Sequence, residues 1–177
     1  MKAIAVTNPG IEDIAKLEIK ELIKKEAKID GNTLAFDASM DELCLLTYKT
    51  QSLTRVMALL SSFEFKDLDD ISEKAGKIEL KDWLKKRSVA MRCERIGEHS
   101  FASQDAEKAV ADAALKGKVK VDLTNPDIVV FIYINENRCC IGIDFSGFDL
   151  SKRDYRIFSH PSSLKGTIAY AMLRMSG

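Results

Sequence analysis

The alternation of apolar and polar positions divides this chain into a succession of short elements. Residues 3–7 are apolar and are stopped by Asn8-Pro9-Gly10, which predicts a first strand and a turn. From Ile11 to about Glu26, Ile11, Ala15, Ile19, Leu22 and Ile23 recur with helical spacing. Glu12 and Asp13 complement the dipole of that helix's first turn. Residues 28–30 and 33–36 flank Gly31-Asn32 and predict a small hairpin. Ser39 is placed to cap a short helix over 41–47, and 56–65 is apolar enough for another buried strand. The order β-α-β-β-α-β is that of a ferredoxin-like domain over 1–66.

The acidic run Lys66-Asp67-Leu68-Asp69-Asp70 marks a boundary. Helical pieces follow to about Arg87, with Trp83 expected as a core anchor. In 88–95, Val89, Met91 and Cys93 alternate with Ala90, Arg92 and Glu94, a strand with one apolar face. After a loop over 96–101, Ser103 caps a helix that runs to Lys116 and stops at Gly117. Its stripe is Ala106, Ala109, Val110 and Ala113, small enough for close packing. The run IVVFIYI is apolar throughout, as in a strand covered on both faces. A polar turn, Asn135-Glu136-Asn137, joins it to RCCIGIDF, where Cys139, Ile141, Ile143 and Phe145 alternate with Cys140, Gly142 and Asp144. Pro161 fits the first position of a final helix, whose face is Leu164, Ile168, Ala171, Met172 and Met175.

Composition narrows the class. At 177 residues, 46% apolar and 31% charged, the chain is an ordinary folded one of one large domain or two small ones. It has no run of eighteen apolar residues and no leader, so a cytoplasmic protein is expected. Cys44, Cys93, Cys139 and Cys140 form no CxxC pair and are expected as buried, reduced thiols. With only His99 and His160 besides, no metal site and no cofactor are expected. The net charge is zero, yet the charge is uneven: residues 1–75 hold 10 basic and 14 acidic side chains, whereas the chain from Ser151 onward holds five basic and one acidic.

No catalytic constellation stands out. The sequence lacks a glycine-rich phosphate loop, an HExxH motif and a nucleophile elbow. Asn125-Pro126-Asp127 lacks the second proline and the aromatic of an amino-group methyltransferase tetrapeptide, and it precedes its strand; a strand-entry turn explains it. The binding chemistry is richer. Arg92, Arg95 and His99 surround a strand-loop junction, Lys116 and Lys118 flank Gly117, and Lys152, Arg153 and Arg156 follow the hairpin. Brought to one face, these groups would make a cationic patch for phosphates. Tyr155 and Phe101 would stack on unpaired bases, while Gly97 and Gly117 would shape the loops.

The run Arg-x-x-Arg-x-Gly-x-His-x-Phe-x-Ser-Gln at 92–104, with VDLTNPD at 121–127 and the paired strands after it, resembles a THUMP domain, an RNA-binding module of tRNA-modifying enzymes. TNPGIED near the start and TQSLTRVMALLSSF at 50–63 resemble the ferredoxin-like domain that precedes THUMP. The segment from DLSKRDYR to the end resembles the junction into the methyltransferase domain of THUMP-containing guanine-N2 RNA methyltransferases. The resemblance implies an α+β chain: a ferredoxin-like domain over 1–66, an α/β THUMP domain over 67–157 and a linker helix over 158–177. It implies binding of tRNA at the 3′ acceptor end, for which the basic clusters and aromatics above offer Arg92, Arg95, His99, Phe101, Lys116, Lys118, Lys152, Arg153, Tyr155 and Arg156 as candidate contacts. The sequence stops after the first helix of the region where that family carries its catalytic tetrapeptide. No catalysis is therefore expected of these residues alone, and a methyltransferase domain or subunit is the expected companion. The rival expectation is a protein-interaction module that docks through its final helix on a separate catalytic subunit.

Overall fold

The computed structural model describes residues 1–115, 119–152 and 163–176. The elements run β1 (Lys2–Thr7), α1 (Glu12–Ile23), β2 (Lys28–Asp30), β3 (Thr33–Asp37), α2 (Met40–Lys49), β4 (Leu53–Glu64), α3 (Leu68–Ala75), α4 (Lys81–Leu84), β5 (Val89–Ile96), α5 (Ser103–Ala114), β6 (Ile128–Asn135), β7 (Arg138–Asp144) and α6 (Gly166–Ser176). The architecture is mixed α/β and resolves into two compact units. The first comprises Met1–Ala58 and the described residues from Phe145 onward; the second is Leu59–Asp144. The strand β4 contributes residues to both.

In the first unit the strand order is β2-β3-β1-β4. Each neighbouring pair is antiparallel: β2 with β3, β3 with β1, and β1 with β4. The element order read from the sequence, β-α-β-β-α-β, is the one observed. Ala3, Ile4, Ala5 and Val6 are buried, as a strand covered on both faces requires. The helix α1 buries Ala15, Ile19 and Ile23 and ends at Lys24, which adopts φ 59°. Ser39 caps α2 as expected: its Oγ accepts from the Glu42 N–H at 3.2 Å, and the Glu42 carboxylate accepts from the Ser39 N–H at 2.7 Å. Such a reciprocal cap contributes about 0.5–2 kcal/mol. Buried Glu18 accepts hydrogen bonds from Thr50 Oγ1, the Gln51 and Ser52 N–H groups and Ser52 Oγ.

α6 buries Thr167 and Ala171 and is tied to the same unit by Asn8 Nδ2 donating to Thr167 Oγ1 at 2.7 Å. A 2.6 Å ion pair joins Arg174 to Glu21. The face read from the sequence is therefore shared out differently. Ala171 is inside, while Leu164, Met172 and Met175 are exposed. Pro161, expected at the start of this helix, lies outside the described residues.

In the second unit the strand order is β4-β7-β6-β5. β5 and β6 are parallel, in register from Val89↔Ile128 to Ile96↔Asn135, so the chain must cross over between them, and α5 is part of that connection. β6 and β7 form the predicted antiparallel hairpin about Glu136-Asn137. Flanked by β4 and β6, β7 is buried on both faces, Cys140 and Gly142 included. α5 packs on β5 and α3 through Ala106, Val110 and Ala114.

Three expectations are corrected. The residue that caps α5 is Ala102, whose N–H donates to the Asp105 carboxylate at 2.8 Å; Ser103 is already helical. Trp83 is half-buried, because α4 is a single turn that buries none of its residues. Cys44 is exposed and Cys93 only partly covered, whereas Cys139 and Cys140 are buried. Burial pushes the Cys93 thiol up to about 12 and raises that of Cys139 further. No helix among the described residues is long and apolar enough to cross a membrane.

The Asn125-Pro126-Asp127 turn has a structural role. One carboxylate oxygen of Asp127 accepts from both the N–H and the hydroxyl of Ser88, each at 2.7 Å. Asp122 in turn accepts from the Thr124 and Asn125 N–H groups at 3.0 and 2.9 Å. These bonds clip the entry of β6 to the entry of β5, and both carboxyls are held below their ordinary range by the donated hydrogen bonds.

Candidate nucleic-acid interface

The second unit places an aromatic layer at the exit of β5. Gly97 turns the chain with φ +102°, in the region that side-chain-bearing residues rarely adopt. A Cβ there would lie 2.8 Å from a carboxylate oxygen of Glu136. The turn aims His99 and Phe101 at Phe65, which is only 6% exposed. The Phe65 N–H donates to the Asn137 carbonyl at 2.8 Å. His99 stacks on Phe65 with ring centroids 5.8 Å apart and planes 24° from parallel. Phe101 is tilted against both, at 6.1 Å from Phe65 and 5.2 Å from His99.

Arg95 completes the layer. Its Nη1 donates to His99 Nδ1 at 2.9 Å, and His99 Nε2 donates to the Glu136 carbonyl at 2.7 Å. Both bonds are satisfied by the neutral imidazole that carries its proton on Nε2, since a guanidinium has no acceptor. The guanidinium carbon lies 5.8 Å from the Phe101 ring centroid, within cation–π range. The Arg95 Nε is buried with no hydrogen-bond partner. The result is a cation spread over aromatic faces, with two rings half-buried and open at one side. Chemically, it can stack a flat base and attract an anion.

The other expected site residues are distributed differently. Successive side chains on a strand alternate faces, so Arg92 lies on the opposite side of β5 from Arg95. Its guanidinium is engaged by two carbonyls, Met91 at 3.0 Å and Leu123 at 2.6 Å, and pins the 120–124 segment to the strand edge. Lys152 is exposed and belongs to the first unit. Lys116, Lys118, Arg153, Tyr155 and Arg156, with Gly117, lie outside the described residues. Of the ten residues, Arg95, His99 and Phe101 are thus brought together. Phe65 and Glu136, which complete the cluster, carry no local signal: each is distant from His99 in sequence and arrives through strand pairing. Among the described residues, no group of side chains is suited to hold a metal ion.

The fold and this cluster coincide with a known module: the THUMP domain matches residues 65–144, nearly the span of the second unit. The chain thus carries a THUMP domain over these residues, and it is similar along nearly its whole length to proteins named tRNA (guanine(6)-N2)-methyltransferase. It is 32% identical to the tRNA (guanine(6)-N2)-methyltransferase of Methanocaldococcus jannaschii over 96% of this chain and 48% of that protein. With the enzyme of the same name from Archaeoglobus fulgidus it shares 31% identity over 97% of this chain and 46% of the relative. The crystal structure of TrmN from Thermus thermophilus superposes with a TM-score of 0.70 at 23% identity, covering 98% of this chain and 54% of that one, a likeness of fold. The chain spans about half the length of these relatives.

Proposed function

We propose that this chain is the RNA-recognition part of a guanine-N2 methyltransferase system and binds tRNA at its 3′ single-stranded acceptor end. The Arg95–His99–Phe101 layer on Phe65 carries the reading, because a guanidinium lying over rings suits unpaired bases and the phosphates beside them. The relatives named as tRNA methyltransferases support the choice of RNA. In this reading the first unit, with its antiparallel order β2-β3-β1-β4, is the ferredoxin-like companion of the THUMP domain. Lys116, Lys118, Lys152, Arg153 and Arg156 supply further phosphate contacts and Tyr155 a further stacking ring. Methyl transfer is left to a methyltransferase domain or subunit that uses S-adenosylmethionine. Fluorescence anisotropy with labelled tRNA tests the assignment: saturable, salt-dependent binding is expected. Affinity no tighter than the roughly 10⁻⁴ M limit of non-specific binding contradicts it.

A second reading rests on α6, where Met172, Leu173 and Met175 are 58%, 72% and 71% exposed. In it, the helix docks on a catalytic subunit, and RNA binding emerges only in the joint complex. Binding of tRNA by the chain alone decides against it.

A further inference from the structure

The most concentrated basic stretch of the second unit lies away from the aromatic layer. Residues 77–87 hold Lys77, Lys81, Lys85, Lys86 and Arg87 against Glu79 and Asp82. Lys81, Lys85 and Lys86 line a cleft of about 680 Å³, closed on its other side by Ala114 and Val119. Among the described residues, Glu79 is the one carboxylate-bearing residue on its wall. All three lysines are exposed, and none makes an ion pair with a described carboxylate. Nearby lysines are engaged: Lys77 pairs with Glu73 at 2.9 Å and Lys74 with Asp70 at 2.9 Å. Lys86 also adopts φ +70°, a conformation unfavourable for a side-chain-bearing residue and common at sites where a local geometry is enforced. Three lysines lining one concave space, with no ion pair to a described carboxylate, form a polyanion site, since each is a flexible point charge.

We infer that the Lys81–Lys85–Lys86 cleft is a second RNA contact, one that grips the sugar-phosphate backbone without reading bases. The inference rests on the RNA-binding role proposed above. It adds a geometry to that role, because α5 links the two places. Its first residue, Ser103, follows Phe101 of the aromatic layer by two positions, and its last, Ala114, lines the cleft. At 1.5 Å per residue this 12-residue helix sets the two contacts about 18 Å apart on one rigid element. Base stacking at one end and phosphate neutralisation at the other would fix the direction of a strand along α5.

The test is the salt dependence of tRNA affinity, measured on the full chain and on the Lys81→Gln/Lys85→Gln/Lys86→Gln variant. If each lysine neutralises one phosphate, the slope of log affinity against log salt falls by about 2 to 2.7, and affinity at 0.1 M salt falls about a hundredfold. The corresponding triple arginine variant should restore both. An unchanged slope in the glutamine variant, with wild-type binding intact, overturns the cleft and leaves the RNA-binding assignment standing. A lowered melting temperature with an unchanged slope also overturns it, because that outcome assigns the lysines to offsetting the carbonyl end of α5. Failure of the wild-type chain to bind tRNA at all removes the assignment on which the cleft depends.

Discussion

Arg95 Nη1 and His99 Nδ1 lie 2.9 Å apart, and this contact fixes the position of the cation against the ring. The same ring reaches the Glu136 carbonyl through Nε2 at 2.7 Å, so both of its nitrogens are engaged. The stacking surface therefore exists in one arrangement before any ligand arrives. Preorganisation of this kind lowers the ordering cost of binding.

The aromatic layer yields the first prediction. Phe101→Ala removes one stacking face and the ring beneath Arg95. It should weaken tRNA binding by about 1–3 kcal/mol, roughly fivefold to 150-fold. Its salt slope should change little, because no cation is lost. Arg95→Ala should lower both affinity and slope. Arg92→Ala serves as a contrast, since its guanidinium is held by the Met91 and Leu123 carbonyls on the other side of β5. It should leave the slope near wild type while lowering thermal stability. A loss of slope in Arg92→Ala equal to that in Arg95→Ala would show that the layer is not the contact surface.

Gly97 provides a second. The obstacle to alanine there is the φ of +102°; the Glu136 carboxylate oxygen 2.8 Å from the new methyl is the far end of a flexible side chain and can swing aside. The backbone part costs on the order of 1–3 kcal/mol. Gly97→Ala should lower the thermal midpoint and weaken RNA binding together, because the turn aims His99 and Phe101. Removing that side chain with Glu136→Ala should therefore recover little of the stability loss. Full recovery would mean that backbone conformation is immaterial at this turn.

Asp127 sets the third, a pH dependence. The Ser88 N–H and hydroxyl hold its carboxyl below the ordinary value in the folded chain. Its stabilising contribution is then fully present above the unfolded value of about 3.9 and is lost as the pH falls through the lower folded value. The difference in thermal midpoint between the wild type and Asp127→Ala should be constant from neutral pH to about pH 5 and shrink as the pH drops further. A gap that is the same at pH 3 and pH 6 would show that the Ser88 clip does not depend on the charge.

Which of these features could be read from the chain depended on how local their causes are. The IVVFIYI run announces a strand covered on both faces because every side chain in it is apolar, and Ser39 is legible as a cap because the N–H its hydroxyl meets lies within four residues. The β-α-β-β-α-β order followed from periodicity in the same way. Phe65 was read as the end of a strand because nothing near it shows that His99 will stack on it; pairing across the sheet decides that. Arg92 and Arg95 look alike in sequence. Their opposite placement follows from strand parity, and one of the two carbonyls that engage Arg92, that of Leu123, comes from a loop about thirty residues on. Lys81, Lys85 and Lys86 stayed hidden for a different reason. Glu79 and Asp82 are interleaved with them, so the charge run looks ordinary until the fold gathers the lysines around one cleft. The THUMP resemblance itself was legible because its motif residues sit within the span that the family match covers.

The account is tested most directly by titrating the chain against one tRNA in two forms, intact and trimmed of its terminal CCA, at matched salt. Recognition of the acceptor end predicts that trimming lowers affinity by about 1–3 kcal/mol for each stacked base removed. It also predicts that Phe101→Ala no longer distinguishes the two forms. Equal affinity of the wild-type chain for both would contradict the acceptor-end assignment.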